Sequence, residues 1–200
     1  METKSELIAF LFTDIEGSTK LWESQPDAMR SALEWHDALL HRTIAAHAGH
    51  VFKTVGDGFC AVFASPSNAI TAAVSLQLAL LDPASRLPLP LNIRIAVHTG
   101  KAEERSGDYV GQALNRVARL LAAGYGGQIL ISQVTMEFLE TTMPSQIATR
   151  YLGTFHLKDL AQPEKVFQLV HNSLPAAFPP LRARRLKTKA TPVVSQSVEV

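Results

Sequence analysis

The chain has 200 residues, 46% of them hydrophobic and 18% charged, with a formal net charge of +1 and one cysteine. That length and balance fit one globular domain, alone or with a tail, and exclude general disorder. A near-neutral chain has no general attraction to nucleic acid or to a membrane surface, and one cysteine excludes an internal disulfide and a zinc site built of thiolates. The N-terminal apolar run is too short to span a bilayer and lacks the layout of a signal peptide, so a cytoplasmic protein is expected.

Along the chain, Ile8 to Phe12 has the length and composition of a strand. It stops at Thr13-Asp14-Ile15-Glu16-Gly17-Ser18-Thr19, where a tight turn with a capping hydroxyl opens a helix. Pro26 interrupts it, and a second helix is expected from about Asp27, with Met29, Leu33, His36, Leu40 and Ile44 at helical spacing and Gly49 as its C-terminal cap. Val51 to Thr54 and Phe59 to Phe63 flank Val55-Gly56-Asp57-Gly58, a hairpin signal. Ser65-Pro66 opens a third helix, striped by Ala69, Ala73, Leu76 and Leu80. Asp82 to Pro90 reads as a loop, Leu91 to Val97 as an alternating strand, and Gly100 to Gly111 as a polar loop. Ala113 to Ala123 is a helix, Ile129 to Ile131 a buried strand, and Ser132 the cap of a short helix. Tyr151 to Leu157 and Val166 to Val170 read as a closing strand pair. Hairpins mixed with strand–helix crossovers point to an α+β fold with helices packed on a sheet. Residues 172–200, with several prolines and the run RARRLKTK, read as a linker and a basic flexible tail.

Two aspartates stand out, each where strands end: Asp14 after the first strand, Asp57 at the hairpin tip. If those strands are neighbours, both carboxylates meet at one sheet edge, as hard oxygen ligands suited to Mg²⁺ or Mn²⁺. Amides near Gly17, Ser18 and Thr19 would make an anion site beside them. Taken singly, each aspartate reads better as an ordinary turn residue, and it is their combination that points to metal. Asn115 and Arg119 are four apart and share a helix face, with Asp108 in the loop before them. Asn offers neutral hydrogen bonds and Arg a fixed fork for phosphate, although a solvated helix face has the same spacing. His98 reads as a core residue, Trp22 and Trp35 as helix packing, and Cys60 as an inert buried thiol.

The motifs FTDIEGST, KTVGDGF, GDYVGQALNRVAR and HLKDL, in that order, resemble the class III nucleotidyl cyclase catalytic domain over roughly residues 5–171. The resemblance implies a domain over 1–171 with a ferredoxin-like βαββαβ core and additional strands, its sheet mostly antiparallel. It implies Asp14 and Asp57 as metal ligands for two Mg²⁺ or Mn²⁺ ions, with the Ile15 carbonyl as a further ligand. Glu16, Gly17, Ser18 and Thr19 would wrap the triphosphate. Lys53 and Asp108 would read adenine, Lys donating to N1 and Asp accepting from the N6 amino group, a pattern that guanine does not match. Asn115 would orient the ribose, Arg119 would neutralise the transferring phosphoryl group, and Lys158 would contact the triphosphate. Lys101 is a further phosphate candidate. Asp159 stands where the family commonly shows Gly, and the stretch Glu103 to Gly107 is short for a dimerisation arm.

The function this implies is an adenylyl cyclase converting ATP to 3′,5′-cyclic AMP and pyrophosphate. Its site would be composite across a homodimer, with no nucleic-acid partner and no membrane segment. The alternatives are a cyclase for a guanine or pyrimidine nucleotide and a non-catalytic nucleotide-sensing domain.

Overall fold

The computed structural model describes residues 7–85, 87–139 and 142–186. The chain runs β1 (Leu7–Ile15), α1 (Ser18–Ser24), α2 (Pro26–Ala46), β2 (Gly49–Val55), β3 (Gly58–Phe63), α3 (Pro66–Leu81) and β4 (Ile93–Lys101). It continues through β5 (Glu103–Arg105), β6 (Asp108–Val110), α4 (Gln112–Ala123), β7 (Ile129–Ser132), α5 (Gln133–Leu139), β8 (Ile147–His156), β9 (Glu164–His171) and β10 (Arg184–Arg185).

Eight strands form one sheet in the order β10-β8-β9-β7-β4-β1-β3-β2, and β5 pairs with β6 as a separate ribbon. Strand β1 is antiparallel to both β3 and β4, and β2 to β3. The order β4-β1-β3-β2 is therefore the ferredoxin-like βαββαβ core, and β7, β9, β8 and β10 extend it. Among the described strands, β4 with β7 is the parallel pairing.

The period-two alternation of side chains builds a core on each face of the sheet. On one face Ala9, Leu11, Phe63, Ile95 and Val97 pack with apolar residues of α2, α3 and α5. On the other, Phe10, Phe12, Cys60, Val62 and Ala96 pack beneath Val117 and Leu120 of α4. Strand β3 is buried at all six positions, which is why its sequence is an unbroken apolar run rather than an alternation.

Four local expectations change. Helix α2 ends at Ala46 and Ala48 takes the left-handed conformation at φ 56°, so Gly49 is not its cap. Gly49 instead starts β2 where a Cβ would lie 2.3 Å from the Phe63 ring. The hairpin turns on Gly56 and Asp57 rather than on Asp57 and Gly58, because Val55 pairs with Gly58. Gly56 has φ 62° and Asp57 does not share a positive φ, the pattern of a type II′ turn. Third, the segment from Gly100 to Gly111 is not a plain loop. It completes β4 and then folds into the β5–β6 ribbon.

Finally, residues 172–186 are not a loose linker. Leu181 is buried in the α4-side core, the Arg182 amide donates to the Ala123 carbonyl at 2.9 Å, and β10 pairs with β8. The apolar Leu181 among prolines supplied the anchor that composition alone concealed. Residues 187–200 of the expected basic tail lie outside the described residues.

Candidate active site

Asp14 is the penultimate residue of β1 and faces α4, where it lines a cavity of about 330 Å³ with Phe12, Cys60, Arg94 and Ala118. The hairpin carrying Asp57 is pinned beside the same end of β1. The Phe59 amide donates to Thr13 Oγ1 at 3.1 Å, and a Cβ on Gly58 would meet the Thr13 carbonyl oxygen at 2.8 Å. Only glycine allows that approach, which carries the Asp57 turn to the C-terminal end of β1. The turn that carries Asp57 thus lies toward the same end of the sheet as Asp14, on strands joined by the β1–β3 ladder. Among the described residues Asp57 Oδ2 is buried without a hydrogen-bond partner, and Asp14 is ion-paired to Arg94, its direct cross-strand neighbour on β4.

After Ile15 the chain turns through Gly17 at φ 76° into α1, whose first amides, from Ser18 and Thr19, have no acceptor within the helix. Glu16 is committed elsewhere. Its amide donates to the Asn92 carbonyl at 2.9 Å, and its carboxylate accepts from the Gly126 amide at 2.9 Å and pairs with Arg182. Burial pushes the Glu16 carboxyl up, but the Gly126 amide and the Arg182 guanidinium outweigh it and hold the group below its ordinary value.

Lys53 and Asp108, 55 residues apart in the chain, meet at 2.5 Å between Nζ and Oδ2. Lys53 is on β2 and Asp108 opens β6, so the β5–β6 ribbon brings the pair together. Both side chains are roughly half exposed. Their hydrogen bond raises the Lys53 pKa, and together with the Tyr109 amide it lowers that of Asp108.

Asn115 and Arg119 share one face of α4 and line a cavity of about 400 Å³ with Asp159 and Leu160. Arg119 Nη2 lies 2.6 Å from Asp159 Oδ2. Asp159 has φ 59°, a left-handed backbone that explains why glycine suits this position. Lys158 is exposed beside it. Lys101 does not join these groups within the chain: it pairs with Leu7, at the opposite end of β1 from Asp14.

Three residues escaped the sequence reading. Arg94 was visible as a charge inside an alternating apolar strand, but its partner depends on the β1–β4 register. Arg116 pairs with buried Glu164, and Arg182 with Glu16, across separations of 48 and 166 residues that no local pattern reports. The reading of His98 fits: it is 4% exposed and shares a 2.8 Å hydrogen bond with Ser132 Oγ. Burial pushes the Cys60 thiol up to about 11, outside the range of a useful nucleophile. Trp35 packs on the core as expected, but Trp22, expected to pack likewise, is 37% exposed and corrects that reading.

A family model described as the adenylate and guanylate cyclase catalytic domain matches residues 1–171. An uncharacterised protein of Mycobacterium tuberculosis is 34% identical over 180 residues, covering 89% of this chain and 61% of that protein. The chain therefore spans less than two thirds of this relative's length. A receptor-type adenylate cyclase of Trypanosoma brucei brucei is 30% identical over 223 residues, covering 90% of this chain and 39% of its own. Among solved structures, an adenylate cyclase from Trypanosoma brucei in its monomeric state superposes with a TM-score of 0.80 at 28% identity, covering 92% of this chain and 98% of that one.

Proposed function

Since the chain belongs to the adenylate and guanylate cyclase catalytic domain family, we propose that it converts ATP to 3′,5′-cyclic AMP and pyrophosphate as a homodimer. The observation that carries the choice of ATP is the Lys53–Asp108 pair. An ammonium donor beside a carboxylate acceptor matches N1 and the N6 amino group of adenine, and guanine presents the opposite polarity at those positions. A site built to hydrogen-bond one base rejects the other strongly, because mismatched polar groups are left unpaired.

The residues fit divalent metal. Asp14 lies on β1 and Asp57 in the turn that opens its partner strand β3, and the Oδ2 of Asp57, buried and unpartnered among the described residues, is an oxygen suited to a cation. Asp14, Asp57 and the Ile15 carbonyl would hold two Mg²⁺ or Mn²⁺ ions. Bound there, the ions would supply Lewis acidity at the ribose 3′-hydroxyl and the phosphates. Arg94 is the counter-ion of the Asp14 carboxylate within the chain.

The chain's own groups do the rest. The amides of Gly17, Ser18 and Thr19 bind the phosphates at the start of α1. Asn115 orients the ribose so that its 3′-oxygen faces the α-phosphorus in line with the pyrophosphate leaving group. Arg119 neutralises charge on the phosphoryl group in transit, and Lys158 contacts the triphosphate. The bond from the 3′-oxygen to the α-phosphorus forms, the bond to the bridging oxygen breaks, and the 3′-proton leaves to water or a substrate phosphate.

Asp14 and the Asn115–Arg119 face open onto different cavities of one chain, which supports a site completed across a two-fold axis. One protomer would give Asp14, Asp57 and the phosphate segment, and its partner the base pair of readers, Asn115, Arg119 and Lys158. No helix among the described residues is long and apolar enough to cross a membrane, and a cytoplasmic site with access to ATP is proposed.

The test is to incubate the purified full chain with each of the four nucleoside triphosphates and Mn²⁺, and to identify products by mass spectrometry. Cyclic AMP from ATP is expected as the main product. A cyclic guanine or pyrimidine nucleotide as the main product overturns the base assignment, and no cyclic product from any nucleotide overturns the enzyme.

A further inference from the structure

Glu16 stands between two groups assigned to substrate and metal: the Ile15 carbonyl before it and the Gly17–Thr19 amides after it. Its carboxylate is fastened at both oxygens, to Gly126 on one side and to Arg182 on the other. Arg182 is held just as firmly. Its guanidinium lies 4.3 Å from the centre of the Tyr125 ring, its amide donates to Ala123, and its neighbour Leu181 is buried in the core. The Tyr125 hydroxyl donates in turn to the Pro180 carbonyl at 2.9 Å. Three segments distant in the chain are thereby knotted at one point: the end of β1, the α4–β7 connection, and residues 180–182. The last lies beyond the 1–171 domain match.

We propose that Arg182 is a positioning residue for nucleotide binding: by neutralising and anchoring Glu16, it sets the conformation and charge of the phosphate-binding segment. The role rests on the reading that Gly17, Ser18 and Thr19 face the triphosphate. Gly17 has φ 76° and open space around its Cα, so the turn has no side chain of its own to hold it. Anchoring falls to Glu16, whose bare carboxylate would repel a polyphosphate one residue away. Arg182 removes that repulsion without itself touching the nucleotide. Its delocalised, always-charged fork suits a place where one face stacks on an aromatic ring and one edge meets a carboxylate. Residues outside the matched domain thus take part in tuning substrate affinity.

The experiment uses the full chain with Arg182→Gln, Arg182→Lys and the double variant Arg182→Gln/Glu16→Gln. Initial rates give KM and kcat for ATP, and hydrogen exchange of the nucleotide-free protein reads the amides of residues 16–19. Arg182→Gln should raise KM about fivefold, the scale of one half-exposed charge pair, while kcat stays within about twofold. Exchange at residues 16–19 should quicken. Arg182→Lys should recover most of the KM, because the charge is what quiets Glu16. The double variant should also recover KM, because the carboxylate to be neutralised is gone. A role in folding alone would lower the thermal midpoint and leave KM unmoved, with no rescue by removing Glu16. An unchanged KM in folded Arg182→Gln, in a wild type that does cyclise ATP, overturns this role alone. A wild type inactive on every nucleotide overturns the functional reading and this role with it.

Discussion

Asp57 keeps a carboxylate oxygen buried with no partner among the described residues, an arrangement that costs free energy unless something else is served. Replacing it should therefore separate activity from stability. If Asp57 is the metal ligand proposed, kcat of Asp57→Ala should drop at least about a hundredfold while the thermal midpoint holds or rises. A variant that is both active and less stable would make Asp57 a structural turn residue. The Lys53–Asp108 pair makes a different prediction. Lys53→Glu with Asp108→Cys should shift the ATP/GTP ratio of kcat/KM toward GTP, and an unmoved ratio removes these residues from base reading. The pair also resists pH. The Asp108 carboxyl is held down and the Lys53 ammonium is held up, each by the other. Asp108 loses its charge only as pH falls through its lowered value, and Lys53 only as pH rises through its raised one. Base preference measured between about pH 6 and 9 should accordingly stay flat, since both ordinary pKa values lie outside that window.

Strands β4 and β7 meet α5 at a buried polar cluster, where His98, Ser132, Thr135 and Thr99 share hydrogen bonds. Burial, with Arg116 nearby, pushes the His98 pKa down to about 4, and burial lowers that of His36 in α2 as well. An imidazole depressed in the fold binds its proton more readily when unfolded, so stability is complete above about pH 6.5 and drains as pH falls toward 4. For His98 the loss is on the order of 3 kcal/mol. Urea unfolding of His98→Gln should show a shallower acid slope than the wild type, and an equal slope would place the lost stability elsewhere. Elements such as these were mostly legible beforehand. Alternation marked β4, the Ser65-Pro66 start marked α3, and the apolar run of β3 announced burial on both faces. The β5–β6 ribbon was hidden, because strands of three residues, one of them wholly charged, are too short to carry a hydrophobic period. The candidate site was legible as residue types but not as partners: Asp14 was readable, while its pairing with Arg94 is a property of register. Residues 172–186 misled through their prolines, which signal a break in helix or strand but not a lack of packing.

At the scale of the whole molecule, assigning Asp14 and Arg119 to opposite protomers of each site is open to a mixing test. Asp14→Ala and Arg119→Ala homodimers should each be nearly inactive. After subunit exchange, about half of the dimers are mixed, and each has one site carrying both lesions and one carrying neither. Activity should return to about one quarter of wild type per subunit, by that two-fold symmetry. Demonstrated exchange with activity still at the mutant baseline would return Asp14 and Arg119 to the same protomer. The sheet order bears on something else, how such a molecule comes to be made. Strand β1 sits between β3 and β4, and its pairing with β4 joins residues 78 to 94 positions apart in the chain. A ribosome delivers β1 long before β4, so the run Ala9-Phe10-Leu11-Phe12 must wait several seconds in the open at ordinary rates of synthesis. Contacts this distant also slow refolding from denaturant. The strand that carries Asp14 is thus exposed to misassociation during synthesis, and it becomes safe only when the rest of the core has been translated.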